Sequence, residues 1–442
     1  MTEKKTKLFV ETYGCQMNVA DSEVVVAILS QHDCELTNSP EKADLILVNT
    51  CSIRENAEQR VRKRLEGFIN YKKKNKNLVI GVIGCMAERL KEKFLEELPV
   101  IDIIAGPDAY RDLPTLVKTA QSGQKAVNTL LSIEETYGDI SPVRLDSNGA
   151  SAFISIMRGC NNLCSYCVVP FTRGRERSRD PESILRESGE IFEQGYREVT
   201  LLGQNVNSYK WAENETDFAD LLEKIAISNP LLRLRFSTSH PKDLSDKLLY
   251  VMAKYHNICK SIHLPMQSGS TSVLTRMKRK YTSEWYLNRI NAIKNIIPDI
   301  AISTDIITGF CGETEEDHQQ TLAMMKEVGF DFAFMFKYSE RPGTFAAKNL
   351  IDDVPDEIKT RRLNEIIRLQ NHMSLESKKK DLGKIYEVMV EGYSKKSNHF
   401  MMGRTSQNKV AVFPADHLRK GEYLHVKVTK VSSATLIAEP IG

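Results

Sequence analysis

The sequence predicts an α/β protein with three parts: an N-terminal parallel α/β domain, a partial (β/α)6 barrel and a small antiparallel β-barrel at the C-terminus. Three observations support this prediction. Short apolar runs alternate with helical patterns over residues 7–120, a second alternating series begins at Ala152, and residues 384–440 change to closely spaced β-rich runs. A length of 442 residues also fits two or three domains better than one.

The N-terminal part reads as strands and helices in strict alternation, which is typical of a parallel sheet. The predicted strands are Lys7–Cys15, Leu45–Cys51 and Asn77–Cys85, and the predicted helices are Val19–Gln31, Glu55–Tyr71 and Met86–Leu98. Residues 121–150 lose this rhythm and become polar and rich in turn formers, so they are interpreted as an interdomain connection. The predicted boundaries are 1–122 for the first domain, 123–145 for the linker, 146–377 for the barrel and 378–442 for the C-terminal domain.

The central part contains six βα repeats, too few for a closed eight-fold barrel, so a partial barrel is expected. Its predicted strands are 152–159, 198–204, 233–238, 261–266, 301–309 and 332–338. One helix is predicted over 356–380. Five short strands then follow, at 384–392, 399–404, 409–413, 422–430 and 433–440.

Composition points to a cytoplasmic protein with reduced cysteines. The N-terminus has no apolar segment long enough for a signal peptide, and no apolar run approaches the roughly 18 residues of a membrane span. Nine cysteines in a cytosolic chain are more typical of metal ligands or catalytic thiols than of disulfides. The chain has no GxGxxG, P-loop or HExxH pattern that would indicate a competing cofactor.

The most specific motif is a CxxxCxxC segment formed by Cys160, Cys164 and Cys167 at the end of the first barrel strand. Three thiolates in one short loop can each ligate one iron of a [4Fe-4S] cluster and leave the fourth iron open to a ligand. The alternative is a zinc site or unrelated core thiols. Zinc usually takes four protein ligands, and no fourth ligand is supplied nearby.

Three further cysteines, Cys15, Cys51 and Cys85, each end an apolar strand of the N-terminal part. The ends of parallel strands lie at one edge of a sheet, where α/β folds build their binding crevices. The three thiols could therefore meet at a second cluster. Small buried residues at strand ends are an equally good interpretation from spacing alone.

These segments resemble the radical S-adenosylmethionine (SAM) methylthiotransferase family. The resemblance rests on GCQMN at Gly14–Asn18, NTCSIRENA at Asn49–Ala57, GCMAER at Gly84–Arg89, the segment Met157–Arg179, HLPMQSGS at 263–270 and DIITGFCGET at 305–314. It spans nearly the whole chain. The GCQMN variant is most similar to the members that act on N(6)-dimethylallyladenosine in tRNA.

The resemblance implies two [4Fe-4S] clusters, an auxiliary one on Cys15, Cys51 and Cys85 and a radical SAM one on Cys160, Cys164 and Cys167. It also implies two SAM molecules per turnover. One SAM methylates a sulfur at the auxiliary cluster, and the other yields the radical that abstracts hydrogen from carbon 2 of the prenylated adenosine. An external one-electron reductant of the flavodoxin or ferredoxin type is expected, and the chain is expected to be a monomer.

Strand-end polar residues are expected to contact SAM. By analogy with the family, these residues are Tyr166, Gln204, Asn205, Ser237, Gln267 and Asp305, and each could equally be an ordinary loop side chain. His240 and His263 precede proline or apolar segments and are interpreted as structural. The remaining cysteines, Cys34, Cys259 and Cys311, are interpreted as structural too.

Two regions are candidates for RNA contact. Arg173, Arg175, Arg177 and Arg179 alternate after the cysteine loop, and in an extended segment they would form a row facing phosphates. A solvated loop paired with Glu176 and Asp180 fits equally well. Residues 378–442 hold 12 basic and 6 acidic residues, a local charge of +6, and they resemble the TRAM domain of tRNA-modifying enzymes. Tyr393, His399, Phe400 and Arg404 are the candidate RNA contacts in that domain.

The expected function is therefore that of a tRNA methylthiotransferase acting at carbon 2 of N(6)-dimethylallyladenosine beside the anticodon. One alternative keeps the chemistry but changes the substrate to threonylcarbamoyl-adenosine tRNA or a ribosomal-protein aspartate. A second alternative is a non-catalytic iron–sulfur protein that binds RNA or carries electrons. A compact electron carrier would not need six βα units.

Overall fold

The computed structural model describes residues 5–52, 55–91, 93–145, 149–395, 397–414 and 418–441. Motif residues Ile53 and Arg54, and residues 146–148 at the predicted start of the barrel domain, lie outside the described residues. The chain divides into two compact units. The first comprises Met1–Asp146, Met157–Asn162 and Val168–Arg179, and the second comprises Ser147–Ile156, Leu163–Cys167 and Asp180–Gly442.

The first unit is built on a parallel sheet that has six strands in the part of the chain described. They are β1 (Thr6–Tyr13), β2 (Cys34–Leu36), β3 (Leu45–Thr50), β4 (Val79–Gly84), β5 (Ile103–Ala105) and β6 (Ala126–Asn128). Their order is β2–β1–β3–β4–β5–β6. The helices are α1 (Gln16–Ser30), α2 (Glu55–Lys74), α3 (Cys85–Leu90), α4 (Lys93–Glu97) and α5 (Leu113–Gln121). The helix expected over Met86–Leu98 is split into α3 and α4, because Lys91 adopts a left-handed backbone with φ of 49°.

Both faces of this sheet are covered, which explains why β3 and β4 are apolar along most of their length. All six residues of each strand are buried. On one face the core includes Val25 and Leu29 of α1. On the other face it includes Leu65 and Phe68 of α2. The continuous apolar runs in the sequence are therefore the central strands of a doubly covered sheet.

Residues 123–145, which the sequence analysis assigned to a linker, pack on the first unit. Strand β6 pairs in parallel with β5. The buried Tyr137 donates a hydrogen bond from its hydroxyl to the Pro107 carbonyl oxygen at 3.0 Å, and the Val143 N–H donates to the Glu23 carbonyl oxygen at 3.2 Å. A few hydrogen bonds of this kind hold the polar segment against the first unit. The amino-acid composition of the segment does not reveal these contacts.

The remaining elements up to the C-terminal barrel are given in chain order. The strands are β7 (Ser151–Ser155), β8 (Met157–Arg158), β9 (Arg177–Ser178), β10 (Glu198–Leu202), β11 (Lys210–Trp211), β12 (Thr216–Asp217), β13 (Arg233–Phe236), β14 (Ser261–His263), β15 (Ala301–Thr308) and β16 (Phe332–Lys337). The helices are α6 (Val169–Arg173), α7 (Pro181–Glu193), α8 (Phe218–Ser228), α9 (Asp246–Lys254), α10 (Thr271–Arg276), α11 (Ser283–Ile296), α12 (Glu315–Val328), α13 (Phe345–Asn349) and α14 (Asp356–Lys379).

The partial barrel predicted from sequence is confirmed in the second unit. Strands β7, β10 and β13 form one parallel sheet, and β14, β15 and β16 form another. The two sheets are linked where Leu234 of β13 pairs in parallel with Ile258, shortly before β14. Helices connect successive strands, as the right-handed crossover of a βα unit requires. The hairpin of β8 and β9 belongs to the first unit.

The C-terminal barrel is closed by five strands in the residues that the structure covers. They are β17 (Ile385–Ser394), β18 (Ser397–Thr405), β19 (Val410–Pro414), β20 (Tyr423–Val431) and β21 (Leu436–Ile441). Their order is β17–β18–β19–β21–β20. The small antiparallel barrel predicted at the C-terminus is confirmed, with one parallel pair in it: β19 and β21 run parallel because β21 enters between β19 and β20.

Two arginines of β13 join this barrel to the partial barrel. Arg233 donates to the Arg404 carbonyl oxygen at 2.7 Å, and Arg235 donates to the Thr405 carbonyl oxygen at 2.8 Å. Arg235 also pairs with Glu198 of β10 at 2.8 Å. These guanidinium groups are buried, so the turn after β18 is held by charge-assisted hydrogen bonds. None of the described helices combines the length and apolar character needed to cross a bilayer.

Candidate active site

Cys15, Cys51 and Cys85 lie at one edge of the N-terminal sheet, because the strands that carry them are parallel neighbours. Tyr13 of β1 aligns with Thr50 of β3, and Thr50 aligns with Gly84 of β4. Each cysteine follows its strand within two residues. The convergence expected from the strand-end pattern is therefore present in the fold.

Two hydrogen-bonded asparagines, Asn18 and Asn49, hold this edge of the sheet in place. Asn18 donates from its amide to Asn49 Oδ1 at 3.0 Å, and Asn49 donates to the Asn18 carbonyl oxygen at 2.8 Å. The Cys15 N–H also donates to Asn18 Oδ1 at 3.3 Å. Gly84 has φ of 91°, and a Cβ there would lie 2.5 Å from Asn49 Oδ1. The GCQMN, NTC and GC segments therefore pack closely against one another at this edge of the sheet.

A buried cation faces these thiols. Arg173 donates from Nε to Cys85 Sγ at 3.1 Å and pairs with Asp21 at 2.7 Å. A hydrogen bond with the Cys51 thiol and the nearby Arg173 guanidinium lower the pKa of the exposed Cys15 thiol to about 6. Burial raises the pKa of the Cys85 thiol. Thiolates are the metal-binding form of cysteine, and a positive charge stabilises them.

The predicted row of four phosphate-facing arginines does not form. Arg173 ends helix α6, and Gly174 follows with φ of 68°, so the segment is not continuously extended. Arg177 is buried and pairs with Asp108 at 3.0 Å, and the buried Arg179 donates to the Gly138 carbonyl oxygen at 3.3 Å. Arg175 alone of the four is exposed. Arg173 and Arg177 are therefore held in internal ion pairs and Arg179 in an internal hydrogen bond, and the phosphate-facing row expected from the sequence is wrong for these three.

Sequence analysis missed Asp21 and Arg158, which complete this network. Asp21 is 1% exposed and binds Arg158 at 2.8 Å through one carboxylate oxygen and Arg173 through the other. These two guanidinium groups hold the pKa of the Asp21 carboxyl below its usual value despite its burial. Asp21 reads only as one polar residue of α1 in the sequence, so no local pattern could have identified it.

The first cysteine of the CxxxCxxC loop is held by backbone contacts in the first unit. The Cys160 N–H donates to the Gly174 carbonyl oxygen at 3.1 Å, and the Asn162 N–H donates to Cys160 Sγ at 3.4 Å. Gly159 has φ of 78°, and a Cβ there would lie 1.9 Å from the Arg175 carbonyl oxygen. The glycine before Cys160 is therefore required by both backbone conformation and close approach.

The other two cysteines of the loop belong to the second unit, where Arg279 faces one of them. Arg279 is buried and donates to Cys164 Sγ at 3.3 Å and to the Tyr166 hydroxyl at 3.4 Å. The Cys167 N–H donates to the Cys164 carbonyl oxygen at 3.0 Å, which closes a tight turn. Arg279 follows helix α10 far along the chain, so the sequence analysis had no reason to select it.

The predicted SAM-contact residues differ in how fully their polar groups are satisfied. Gln204 Oε1 and Gln267 Oε1 are buried and have no hydrogen-bond partner among the residues described. Asn205 instead donates to Asp243 at 2.7 Å and accepts from the His240 N–H at 2.9 Å. Its amide is therefore committed to the protein, whereas the two glutamines retain unused acceptors.

Of the other two predicted contacts, one lies just after a barrel strand and one lies inside a barrel strand. Ser237 lies just after β13, and its N–H donates to the Leu201 carbonyl oxygen at 3.1 Å. Asp305 lies within β15, and its carboxylate is 3.3 Å from His263 Nε2. His263 therefore has a polar partner inside the barrel, although the sequence analysis treated it as structural.

The remaining predicted residues are placed as follows. Cys34, Cys259 and Cys311 are buried, in agreement with their expected structural role, which stays a prediction. In the C-terminal barrel, Tyr393 is 59% exposed and Phe400 is 38% exposed. Arg404 pairs with Glu391 at 3.0 Å and keeps about a third of its side chain exposed.

Comparison with known proteins assigns the three parts. Residues 7–106 match the model described as uncharacterized protein family UPF0004, residues 154–325 match the radical SAM superfamily, and residues 379–441 match the TRAM domain. The tRNA-2-methylthio-N(6)-dimethylallyladenosine synthase of Amoebophilus asiaticus is 59% identical over 98% of this chain and 92% of its own length. The protein of the same name from Phocaeicola vulgatus is 56% identical over 98% of this chain and 96% of its own.

The chain therefore belongs to the tRNA-2-methylthio-N(6)-dimethylallyladenosine synthase family. Two solved structures share the fold of this chain over most of its length. The radical SAM methyltransferase TsrM from Kitasatospora setae matches with a TM-score of 0.57 at 13% identity, over 78% of this chain and 75% of that one. The cobalamin-dependent radical SAM enzyme OxsB matches with a TM-score of 0.55 at 14% identity, over 83% of this chain and 56% of that one.

Membership of this synthase family and of the radical SAM superfamily implies SAM and a [4Fe-4S] cluster. The chain's donors fit both groups. Three thiols within eight residues, with a buried guanidinium against Cys164, suit a thiolate-ligated cluster. The unused acceptors of Gln204 and Gln267 at the strand ends suit a polar ligand such as SAM.

Proposed function

We propose that this chain inserts a methylthio group at carbon 2 of N(6)-dimethylallyladenosine beside the anticodon of tRNA, using two [4Fe-4S] clusters and two SAM molecules per turnover. The observation that carries the proposal is the meeting of Cys15, Cys51 and Cys85 at one sheet edge, in a chain that also has the CxxxCxxC loop. A single-cluster radical SAM enzyme would not need this second set of thiols.

Cys160, Cys164 and Cys167 are the proposed ligands of the radical SAM cluster. When bound and reduced, such a cluster supplies the electron that cleaves SAM. Arg279 holds Cys164 and Tyr166 in place and offsets the negative charge of the thiolates, because its guanidinium is buried against both. Gln204 and Gln267 are the proposed hydrogen-bond acceptors for SAM, and Tyr166, Ser237 and Asp305 complete the proposed set.

Cys15, Cys51 and Cys85 are the proposed ligands of the auxiliary cluster. These three residues would hold the cluster and leave one of its four irons without a protein ligand, and the cluster would supply the sulfur that is transferred. Arg173 stabilises this anionic site from the buried side, while Cys15 is exposed and open to substrate. Asp21 fixes Arg173 in turn, so the aspartate is a positioning residue for the thiols.

The proposed substrate is tRNA, bound in part through the TRAM domain. The support is the TRAM match at 379–441 and the local charge of residues 378–442, which hold 12 basic and 6 acidic residues. Arg175 and Arg404 remain the proposed arginine contacts, since both side chains reach solvent. The proposal includes a monomeric cytoplasmic enzyme and a flavodoxin- or ferredoxin-type reductant. The alternative substrates and the non-catalytic role are not favoured, because the relatives are named for dimethylallyladenosine.

The test is anaerobic turnover of the iron-loaded protein with SAM, a low-potential reductant and tRNA that carries N(6)-dimethylallyladenosine. Mass spectrometry of the digested nucleosides should show a mass increase of one methylthio group in place of hydrogen on the prenylated nucleoside. The same tRNA lacking the dimethylallyl group is the matched control. Product on threonylcarbamoyl-adenosine tRNA instead, or no SAM cleavage at all, would overturn the proposal.

A further inference from the structure

Strand β16 of the partial barrel exposes two large aromatic side chains. Phe332 is 49% exposed and Phe334 is 43% exposed, whereas Ala333 between them is buried. The two rings lie against each other edge to face, with centroids 4.9 Å apart and an interplanar angle of 87°. Two exposed aromatic rings in contact form a small apolar patch, and a contiguous exposed apolar patch in a folded protein can mark a binding site.

The face that carries these rings is the interior face of the partial barrel. The opposite face of the sheet is covered, since Ile302 and Ile306 of β15 are buried, and α14 packs on β15 and β16. Gln370 of α14 donates to the Phe330 carbonyl oxygen at 2.9 Å. Side chains alternate between the two faces of a strand, so Phe332 and Phe334 point together into the barrel.

A polar edge borders the aromatic pair. The His263 ring packs edge to face on Phe334, with centroids 5.8 Å apart. His263 Nδ1 lies 3.0 Å from Ser303 Oγ, and its Nε2 lies 3.3 Å from Asp305 Oδ2. In the sheet register Ser303 aligns with Phe332, and Asp305 aligns with Phe334. The interior face therefore presents an apolar surface beside a histidine and a carboxylate.

We propose that Phe332 and Phe334 form the subsite for the dimethylallyl group of the substrate nucleoside and so determine which modified adenosine is accepted. This inference rests on the proposed function. A dimethylallyl group is a branched five-carbon apolar chain, and its transfer from water onto two aromatic faces is favourable by roughly 25 cal/mol per Å² of surface removed from water. The rings are already paired, so little side-chain ordering opposes binding.

The carboxylate beside the rings gives the subsite a means of rejection. A threonylcarbamoyl group carries its own carboxylate, which would approach Asp305 in this subsite. Like charges in a partly desolvated site repel, and an apolar wall offers no compensating hydrogen bond. A dimethylallyl group has no charge or polar atom to leave unsatisfied, so the same wall accepts it.

The test compares the affinity of the iron-loaded protein for tRNA with and without the dimethylallyl group. We expect wild type to bind the prenylated tRNA about tenfold or more tightly, the range expected for burying a few apolar carbons. Phe334→Ala should reduce this preference to within about twofold of unity, and Phe334→Leu should retain most of it because an apolar surface remains. Affinity for unprenylated tRNA should stay within about twofold in both variants.

Tyr250 supplies a matched control, because it is an aromatic residue 62% exposed on helix α9. Tyr250→Ala should keep the wild-type preference. Phe332→Ala is the second variant if Phe334→Ala fails to retain wild-type iron content, and it should lower the preference in the same way.

Two results would overturn the subsite: equal affinity of wild type for the two tRNAs, or an unchanged preference in Phe334→Ala and Phe332→Ala. Both are separate from failure of the proposed function, which is read as absence of methylthio product from wild type on prenylated tRNA. Binding preference does not require turnover, so each idea can fail alone.

Discussion

The two sets of three cysteines are brought together by opposite structural routes. Cys160, Cys164 and Cys167 lie within eight residues, so the loop itself brings them together. Cys15, Cys51 and Cys85 are separated by more than 30 residues each, and a parallel sheet must form before they meet. The local set is specified by spacing and the dispersed set by tertiary structure.

This difference extends to the groups around the thiols. Each set has one buried arginine on a sulfur: Arg279 on Cys164 and Arg173 on Cys85. Arg173 is further tied to Asp21, a residue of α1, whereas Arg279 bonds Tyr281 and the Pro265 carbonyl oxygen in its own unit. The dispersed set therefore depends on contacts between distant segments at every level, and perturbing those contacts should affect it first.

The largest expected effect is that a substitution in each set abolishes a different step, SAM cleavage for one set and methylthio transfer for the other. Cys164→Ala should abolish SAM cleavage, because it removes a proposed ligand of the radical SAM cluster, and no methylthio product should form. Cys51→Ala should still cleave SAM but deliver no methylthio group. The iron content of each variant should fall from about eight atoms per chain to about four. The measurements are 5′-deoxyadenosine release, nucleoside mass spectrometry and iron content.

Serine variants at the same positions provide a control for side-chain volume. Methylthio product from Cys51→Ala would contradict the assignment of a separate sulfur-delivering site. Loss of SAM cleavage in that variant would show instead that the dispersed set supports the local one.

The next effect distinguishes a structural arginine from an RNA-binding one. Arg173→Ala should destabilise the first unit by about 3 kcal/mol, because it leaves the buried Asp21 carboxylate with less compensation. The exposed neighbour Arg175 is the matched control, and Arg175→Ala should change stability by no more than about 0.5 kcal/mol. Amide hydrogen exchange in β1, β3 and β4 measures the difference.

The opposite pattern would restore the arginine row expected from sequence. If Arg173→Ala kept wild-type exchange protection but weakened tRNA binding, Arg173 would be an RNA contact. Weaker tRNA binding in Arg175→Ala alone, with a shallower dependence on salt, would agree with the structure.

Sequence patterns predicted the parts of this molecule that depend on periodicity or close spacing. β1, β3 and β4 are predictable because each is six to eight residues long with an apolar run inside it, and the CxxxCxxC loop is predictable because its three cysteines lie within eight residues. β2, β5 and β6 have only three residues each, too few to show a period. For this reason the predicted linker includes β6, which pairs with β5 in the structure.

The interior contacts of the site could not be predicted in the same way. Asp21, Arg158 and Arg279 look like ordinary charged residues in the sequence, and only the fold brings them to buried positions. The arginine row was wrong because alternation implies one face only in an extended chain, and α6 includes Arg173. Long-range ion pairs leave no local pattern.

The smallest expected effect is a pH dependence carried by Glu88, one helical turn after Cys85. Burial raises the pKa of Glu88 to about 7, and its Oε2 has no hydrogen-bond partner in the described part of the chain. The pKa is about 4.5 when the chain is unfolded. The folded state therefore binds the proton more tightly, so this stabilisation is full below about pH 4.5 and is lost as pH rises to about 7.

Glu88→Gln should remove this dependence, because glutamine stays neutral. Relative to the variant, wild type should lose on the order of 2 kcal/mol between pH 5 and pH 8, measured as the opening free energy of β4 and α3 by hydrogen exchange. Parallel profiles for the two proteins would show that Glu88 is already ionised in the folded state. A loss confined to the first unit, with β14 and β15 unaffected, would show that the pH limit belongs to the unit that holds the dispersed set and Cys160, and not to the unit that holds Cys164 and Cys167.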